Sequence, residues 1–245
     1  MANARAHLNV LISGGFSGAY ERLLPEFEQT NSVDVTTGSG ASQGTGPQTI
    51  AAQLARGVPA DVVILSREGL AELIAANRIV PGTDIDLARV GVGVAVRSGT
   101  PKPDVRTAES LKHVLLKAKV VAVPASTSGI WLKAELFPRL GVADRIEVKT
   151  SPRGFGAAAM VAAGEAALAV MPDSEILLSP GVDFAGSLAR EIQFMQVFSA
   201  AIVAGSAEIE LSRRLIDLLS SARAAHAIGK SGMEPLAASR RILVS

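Results

Sequence analysis

The chain has 245 residues, 48% of them apolar, a formal charge of +1 and no cysteine. That length suits two lobes better than one small domain. Near-neutral charge without any block of like charges excludes a nucleic-acid groove or a polybasic membrane surface, and the missing cysteines exclude disulfides, thiolate nucleophiles and cysteine-based metal sites.

Residues 8–12 read as a buried strand ending in Ser13-Gly14-Gly15. Tyr20, Leu23, Leu24 and Phe27 then share one face of a helix over 17–30, with Ser17 as its N-cap. A second strand, 33–37, leads into the glycine-rich loop 38–46, after which Pro47 suits the first turn of a helix ending at Gly57. Residues 60–65 form a third strand and 68–76 a helix.

Residues 90–96 read as one strand, rich in Val and Gly. A helix at 108–118 and a strand at 120–123 follow. The polar loop 124–129 feeds a helix at 130–140, and Val148 marks a short strand. Ser151-Pro152-Arg153-Gly154 opens a helix at 155–163. Residues 166–171 form a strand, and Pro172-Asp173-Ser174 starts a short helical turn. A long strand at 193–204 and helices at 208–221 and 221–229 complete the chain.

Strands alternating with helices indicate an α/β protein with mainly parallel sheets. The simplest two-lobed arrangement sends the chain across near 90–96 and back near 194–203. Residues 1–90 with 198–245 then form lobe one, and residues 91–197 form lobe two. The two crossing strands make a hinge for closure around a ligand.

The chemistry falls on loops that share a strand, Ser/Thr/Gly loop and helix pattern. They are Ser13-Gly14-Gly15, Ser39-Gly40-Ala41-Ser42-Gln43, Ser126-Thr127-Ser128-Gly129, and Ser151 to Gly154, which adds a guanidinium. In open α/β sheets, ligands gather at such strand ends. Helix N-termini and serine hydroxyls supply donors for an anion, and Arg153 suits a carboxylate. Each turn taken alone also reads as an ordinary helix cap. Asp173 and Glu175 follow a strand end, where an acid could face a ligand or merely cap a helix.

Other motifs carry less. His7, His113 and His226 are isolated and read as surface residues. With no His-x-x-x-His or Glu-x-x-His pair, neither a metal nor a cofactor is expected. Gly40-x-Ser42-x-Gly44 matches a nucleophile elbow formally, but it lies in a long loop instead of a sharp strand-to-helix turn. Gly229-Lys230-Ser231 reads as a helix C-terminus. No apolar run reaches the roughly 20 residues of a membrane span, so no membrane insertion is expected.

Several stretches together resemble the molybdate-binding-like branch of the type 2 periplasmic solute-binding proteins. They are Ile12-Ser13-Gly14-Gly15, Gly38-Ser39-Gly40-Ala41-Ser42, the segment from Ala52 through Gly57-Val58-Pro59-Ala60-Asp61 to Ile64, Thr127-Ser128-Gly129-Ile130, Gly164-Glu165-Ala166-Ala167-Leu168, and Asp173-Ser174-Glu175-Ile176-Leu177. The resemblance implies a two-lobed fold with two crossing hinge strands, a monomer, a periplasmic protein and an ABC permease partner. The N-terminal Met1-Ala2-Asn3 fits either a mature exported chain given a new start or a cytoplasmic protein.

The loop pattern makes Ser13, Gly14, Gly15, Ser39, Ala41, Ser42, Gln43, Thr127, Ser128, Arg153 and Gly154 the candidate ligand contacts, and the resemblance places family donors near Ser13–Gly15, Ala41–Ser42, Ser128 and Gly154. Met171 stands where the molybdate binders carry a tyrosine. With that donor replaced and Arg153 nearby, a small organic anion, a di- or tricarboxylate, is the expected ligand. Bacterial aconitate isomerase resembles the same branch. It supplies an enzyme alternative, with Asp173 or Glu175 as the base of an allylic proton shift. Molybdate or tungstate binding for a transporter is a second alternative.

Overall fold

The computed structural model describes residues 5–236, so the question of export attached to residues 1–4 lies outside the described residues. In chain order the elements begin β1 (Ala6–Ile12), α1 (Gly14–Asn31), β2 (Val33–Ser39), α2 (Ile50–Ala55), β3 (Val62–Ser66), α3 (Arg67–Ala75) and β4 (Ile85–Val90). They continue with β5 (Val92–Arg97), α4 (Ala108–Ala118), β6 (Val120–Pro124), α5 (Thr127–Trp131), α6 (Phe137–Leu140), β7 (Glu147–Ser151) and α7 (Gly154–Ala163). The last are β8 (Leu168–Pro172), α8 (Asp173–Ile176), β9 (Val182–Ser187), β10 (Gln196–Ile202), α9 (Ile209–Leu219), α10 (Ala224–Lys230) and β11 (Glu234–Pro235). The described chain divides into two units. One holds the residues up to Arg89 and those from Val197 onward, and the other is Val90–Gln196.

The first unit is built on a sheet of order β11-β4-β10-β3-β1-β2. β1 runs parallel to β2 and β3, whereas β10 is antiparallel to β3. Val62, Val63, Ile64 and Leu65 of β3 are all fully buried, the continuous apolar run expected of a strand covered on both faces. α9 and α10 pack on α1, so the C-terminal helices belong to this unit. The second unit carries the order β7-β6-β8-β5-β9, with β6 parallel to β7 and β8, and β5 antiparallel to β8 and β9. Its main core joins valines of β5 and β6 to Leu111 and Leu115 of α4 and to Leu132, Leu136 and Phe137.

Several boundaries differ from the sequence expectations. α1 starts at Gly14, so Ser13, not Ser17, is its N-cap; the Ser17 hydroxyl donates back to the Gly14 carbonyl at 2.8 Å. The helix expected at Pro47 begins only at Ile50, where the Thr49 side chain accepts the Ala52 N–H. The expected helix 130–140 begins at Thr127 and contains a π turn at Leu132–Leu136. Pro138 has no N–H to offer, and just ahead of it the ladder shifts so that Phe137 N–H reaches Leu132 O. The strand expected at 90–96 is β5, which begins only at Val92, while Val90 ends β4, a strand of the other sheet that carried no expectation. At the break, Gly91 O takes the Asp173 N–H at 2.9 Å, and the Gln193 side chain binds Val92 N at 2.8 Å and Val92 O at 3.0 Å. β9 and β11 carried no strand expectation at all.

Candidate functional site

In the first unit, Ile12 is level with Ser39 on β2 and with Ile64 on β3, so the C-terminal ends of three parallel strands share one edge. Ser13 leaves β1 in extended conformation and caps the 18-residue α1. Its N–H donates to Ile64 O at 2.8 Å, while its buried hydroxyl oxygen has no partner. Gly14 and Gly15 form the buried first turn, with Gly15 closed off by the Phe198 ring.

The long loop after β2 is held by its own residues. Ala41 pairs with Thr49, and the Ser42 hydroxyl oxygen accepts the Ser66 N–H at 2.9 Å. Gln43 donates to Glu72 at 2.6 Å, and Ser39 is exposed, its carbonyl taken by Gln53. Of the first-unit candidates, Ser13 is the one whose buried side-chain hydroxyl has no internal partner.

In the second unit, Pro124 of β6 is level with Ser151 of β7, and Val121 with Leu168 of β8. Thr127 and Ser128 lie buried in the first turn of α5, and Gly129 packs directly on the Pro124 carbonyl. Arg153 is the extended N-cap of α7 and is half-buried. Ser151 donates its hydroxyl to the Arg153 carbonyl, which fixes the turn.

Arg153, Gly154, Met171 and Glu175 come together there. The Glu175 carboxylate sits on the α-carbon side of Gly154, so close that a Cβ at position 154 would overlap it, and the Met171 methyl closes the same spot. Only glycine fits this approach. The Gly154 N–H faces the Glu175 carboxylate and favours its ionised form, while the buried Oε2 has no hydrogen-bond partner.

Asp173, two residues earlier, faces a different neighbourhood. Ser187 donates to its Oδ2, and its Oδ1 is unpartnered against Gly93. Burial pushes the Asp173 carboxyl up to about 6, opposed by the Ser187 hydrogen bond. Burial pushes Glu175 up to about 7, opposed by the charge of Arg153 and the Gly154 N–H. Near neutral pH, Glu175 therefore passes between carrying and releasing a proton, as acid–base chemistry requires.

Sequence reasoning missed Arg67, at the start of α3. It pairs with Asp84 at 2.7 Å and Asp86 at 3.4 Å, while its buried Nη1 has no partner. The signal was there: Ser66-Arg67 follows a buried strand in the same pattern as the other loops. His7, His113 and His226 are exposed. Among the described residues, no group of three or more His, Asp or Glu could hold a metal, and no helix is long and apolar enough to cross a membrane.

Two α/β units, each with serine- and glycine-bearing strand ends feeding helices, have the fold of the type 2 periplasmic binding proteins. The chain belongs to the bacterial extracellular solute-binding protein family, whose model matches residues 8–234. It is 36% identical over 236 residues to an aconitate isomerase from a Pseudomonas species, covering 94% of this chain and 88% of that protein. In fold it is similar to the sulfate-binding protein SubI from Mycobacterium tuberculosis, with TM-score 0.76, 20% identity, and 94% and 87% of the two chains covered. It is also similar to the periplasmic molybdate-binding protein of Azotobacter vinelandii, with TM-score 0.67, 18% identity, and 92% and 98% covered.

Proposed function

We propose that this protein binds an organic di- or tricarboxylate and shifts an allylic proton on it, the chemistry of interconverting trans- and cis-aconitate. The cluster of Arg153, Gly154 and Glu175 carries this reading: a half-buried guanidinium stands beside a buried carboxyl that changes protonation near pH 7. The 36% identity to an aconitate isomerase supports it.

Arg153 would grip a substrate carboxylate with two parallel N–H donors. Ionised Glu175 would remove a proton from the methylene carbon. The electron pair would delocalise over the allylic system onto the held carboxylates. Glu175 would then return the proton to the far alkene carbon, so nothing is gained or lost. Asp173, tied to Ser187, is the weaker candidate for the base.

A second reading is a solute-binding protein without catalysis, periplasmic and serving an ABC permease. The enclosure of Glu175, 6% exposed, favours it. A proton NMR time course with excess trans-aconitate separates the two. Cis-aconitate growing in proportion to protein establishes the isomerase. An unchanged spectrum together with calorimetric binding of trans-aconitate leaves the binding protein, and absence of both removes the carboxylate reading.

A further inference from the structure

Helix α7 has ten residues, and its first N–H groups with the helix dipole form a site for negative charge. That position already holds an anion of the protein's own. The Glu175 carboxylate faces the Gly154 N–H and fills the space over the Gly154 α-carbon, where the Met171 methyl completes the enclosure. Its Oε2 is buried without a partner, so no internal donor neutralises that oxygen.

We infer that Glu175 is a specificity-determining residue whose carboxylate fills the space at the Gly154 start of α7, so that the site accepts organic carboxylates and rejects compact tetrahedral dianions. A tetrahedral dianion needs several donors converging on one small volume. Here the volume is filled, and a like charge stands at contact distance in a poorly solvated place. A flexible di- or tricarboxylate carries its charges on separate carbons. One carboxylate can meet Arg153 while the remainder of the molecule is held elsewhere, so no dianionic centre is forced onto Glu175. The inference rests on the carboxylate reading of the site and names what that site excludes.

The charged groups around Glu175 leave its carboxylate as the deciding one. α7 presents Arg153, and α8 itself presents Asp173, which is turned toward Ser187. β8 contributes only apolar side chains and Pro172. On β9, Asp183 is bonded to Ser98 and Gly99, and on β5, Arg97 lies over Gly164 at the other end of the strand.

Sulfate is the probe, titrated calorimetrically into the full chain at pH 8. Wild type is expected to bind it weakly. Glu175→Ala, which removes the charge and empties the space at Gly154, should bind sulfate at least about tenfold more tightly, and Glu175→Gln, which removes the charge alone, should lie between. In wild type, sulfate affinity should rise from pH 8 to pH 6 as Glu175 is protonated. Two folded variants that bind sulfate no better than wild type would overturn the inference. Should both fail to fold, a wild-type sulfate affinity that does not rise toward pH 6 would overturn it equally. These readouts involve no turnover, so a protein that leaves trans-aconitate unchanged would sink the isomerase reading while the sulfate comparison still decided the role of Glu175.

Discussion

The carboxylate of Glu175 and the α-carbon of Gly154 are in direct contact, with no room for a methyl group between them. Gly154→Ala must therefore displace either the start of α7 or the Glu175 side chain. The expected cost is about 1–3 kcal/mol, the usual range for overpacking a filled interior. A lower urea midpoint with an unchanged slope is the expected result. An unchanged midpoint would show that the two groups separate freely.

Arg153→Ala should weaken trans-aconitate binding by about tenfold or more, the loss of a charge-assisted pair. Arg153→Lys should recover only part of it, because an ammonium cannot present two parallel donors. Isothermal titration measures both. Full affinity in Arg153→Ala would take Arg153 out of the site.

Ser13 separates ligand binding from folding. Its buried hydroxyl oxygen has no internal partner, so Ser13→Ala should leave stability unchanged or raise it by up to about 1 kcal/mol. The same variant should bind the carboxylate ligand more weakly. Equal affinity in wild type and variant would show that the hydroxyl meets no ligand.

Stability should depend on pH through Asp173 and Glu175. Both carboxyls have folded-state values raised above their ordinary ones, to about 6 and about 7. The folded state then holds more protons than the unfolded state between the ordinary carboxylate range and those values. Their contribution to unfolding free energy falls as pH rises through that window. The penalty is absent below about pH 4 and complete above about pH 7, up to about 3 kcal/mol for each group. Asp173→Asn and Glu175→Gln should each be more stable than wild type at pH 8, with a smaller difference at pH 5. Urea denaturation at the two pH values tests this, and variants less stable than wild type at pH 8 would contradict it.

The periodic and apolar features were legible in the sequence. α4 spans the residues its spacing indicates, because Leu111 and Leu115 meet the core one turn apart and Thr107 caps the start. The β3 run Val62-Val63-Ile64-Leu65 announces a strand buried on both sides. The Ser/Gly loops after strands also made Ser13, Arg153 and Gly154 candidates, since a strand end feeding a helix start exposes N–H groups wherever it occurs.

Other features depended on long-range partners. Gly91 ends one strand and begins another because Asp173 and Gln193, about a hundred residues away for the latter, take its hydrogen-bonding neighbours. Glycine inside an apolar run gives no sign of this. Ser42 and Gln43 looked as available as Ser13, yet Ser66 and Glu72 engage them in the folded chain.

The carboxyls make the same division most clearly. The sequence by itself placed Asp173 and Glu175 just after a buried strand. The tertiary structure decided that Glu175 joins Arg153 and Gly154 while Asp173 joins Ser187 and Gly93. Two residues apart on a helical turn, side chains are rotated by about 200° around the axis and so diverge by about 160°. Local spacing thus fixes that the two acids diverge, but the neighbour each one meets is set by strands and helices packed from elsewhere in the chain.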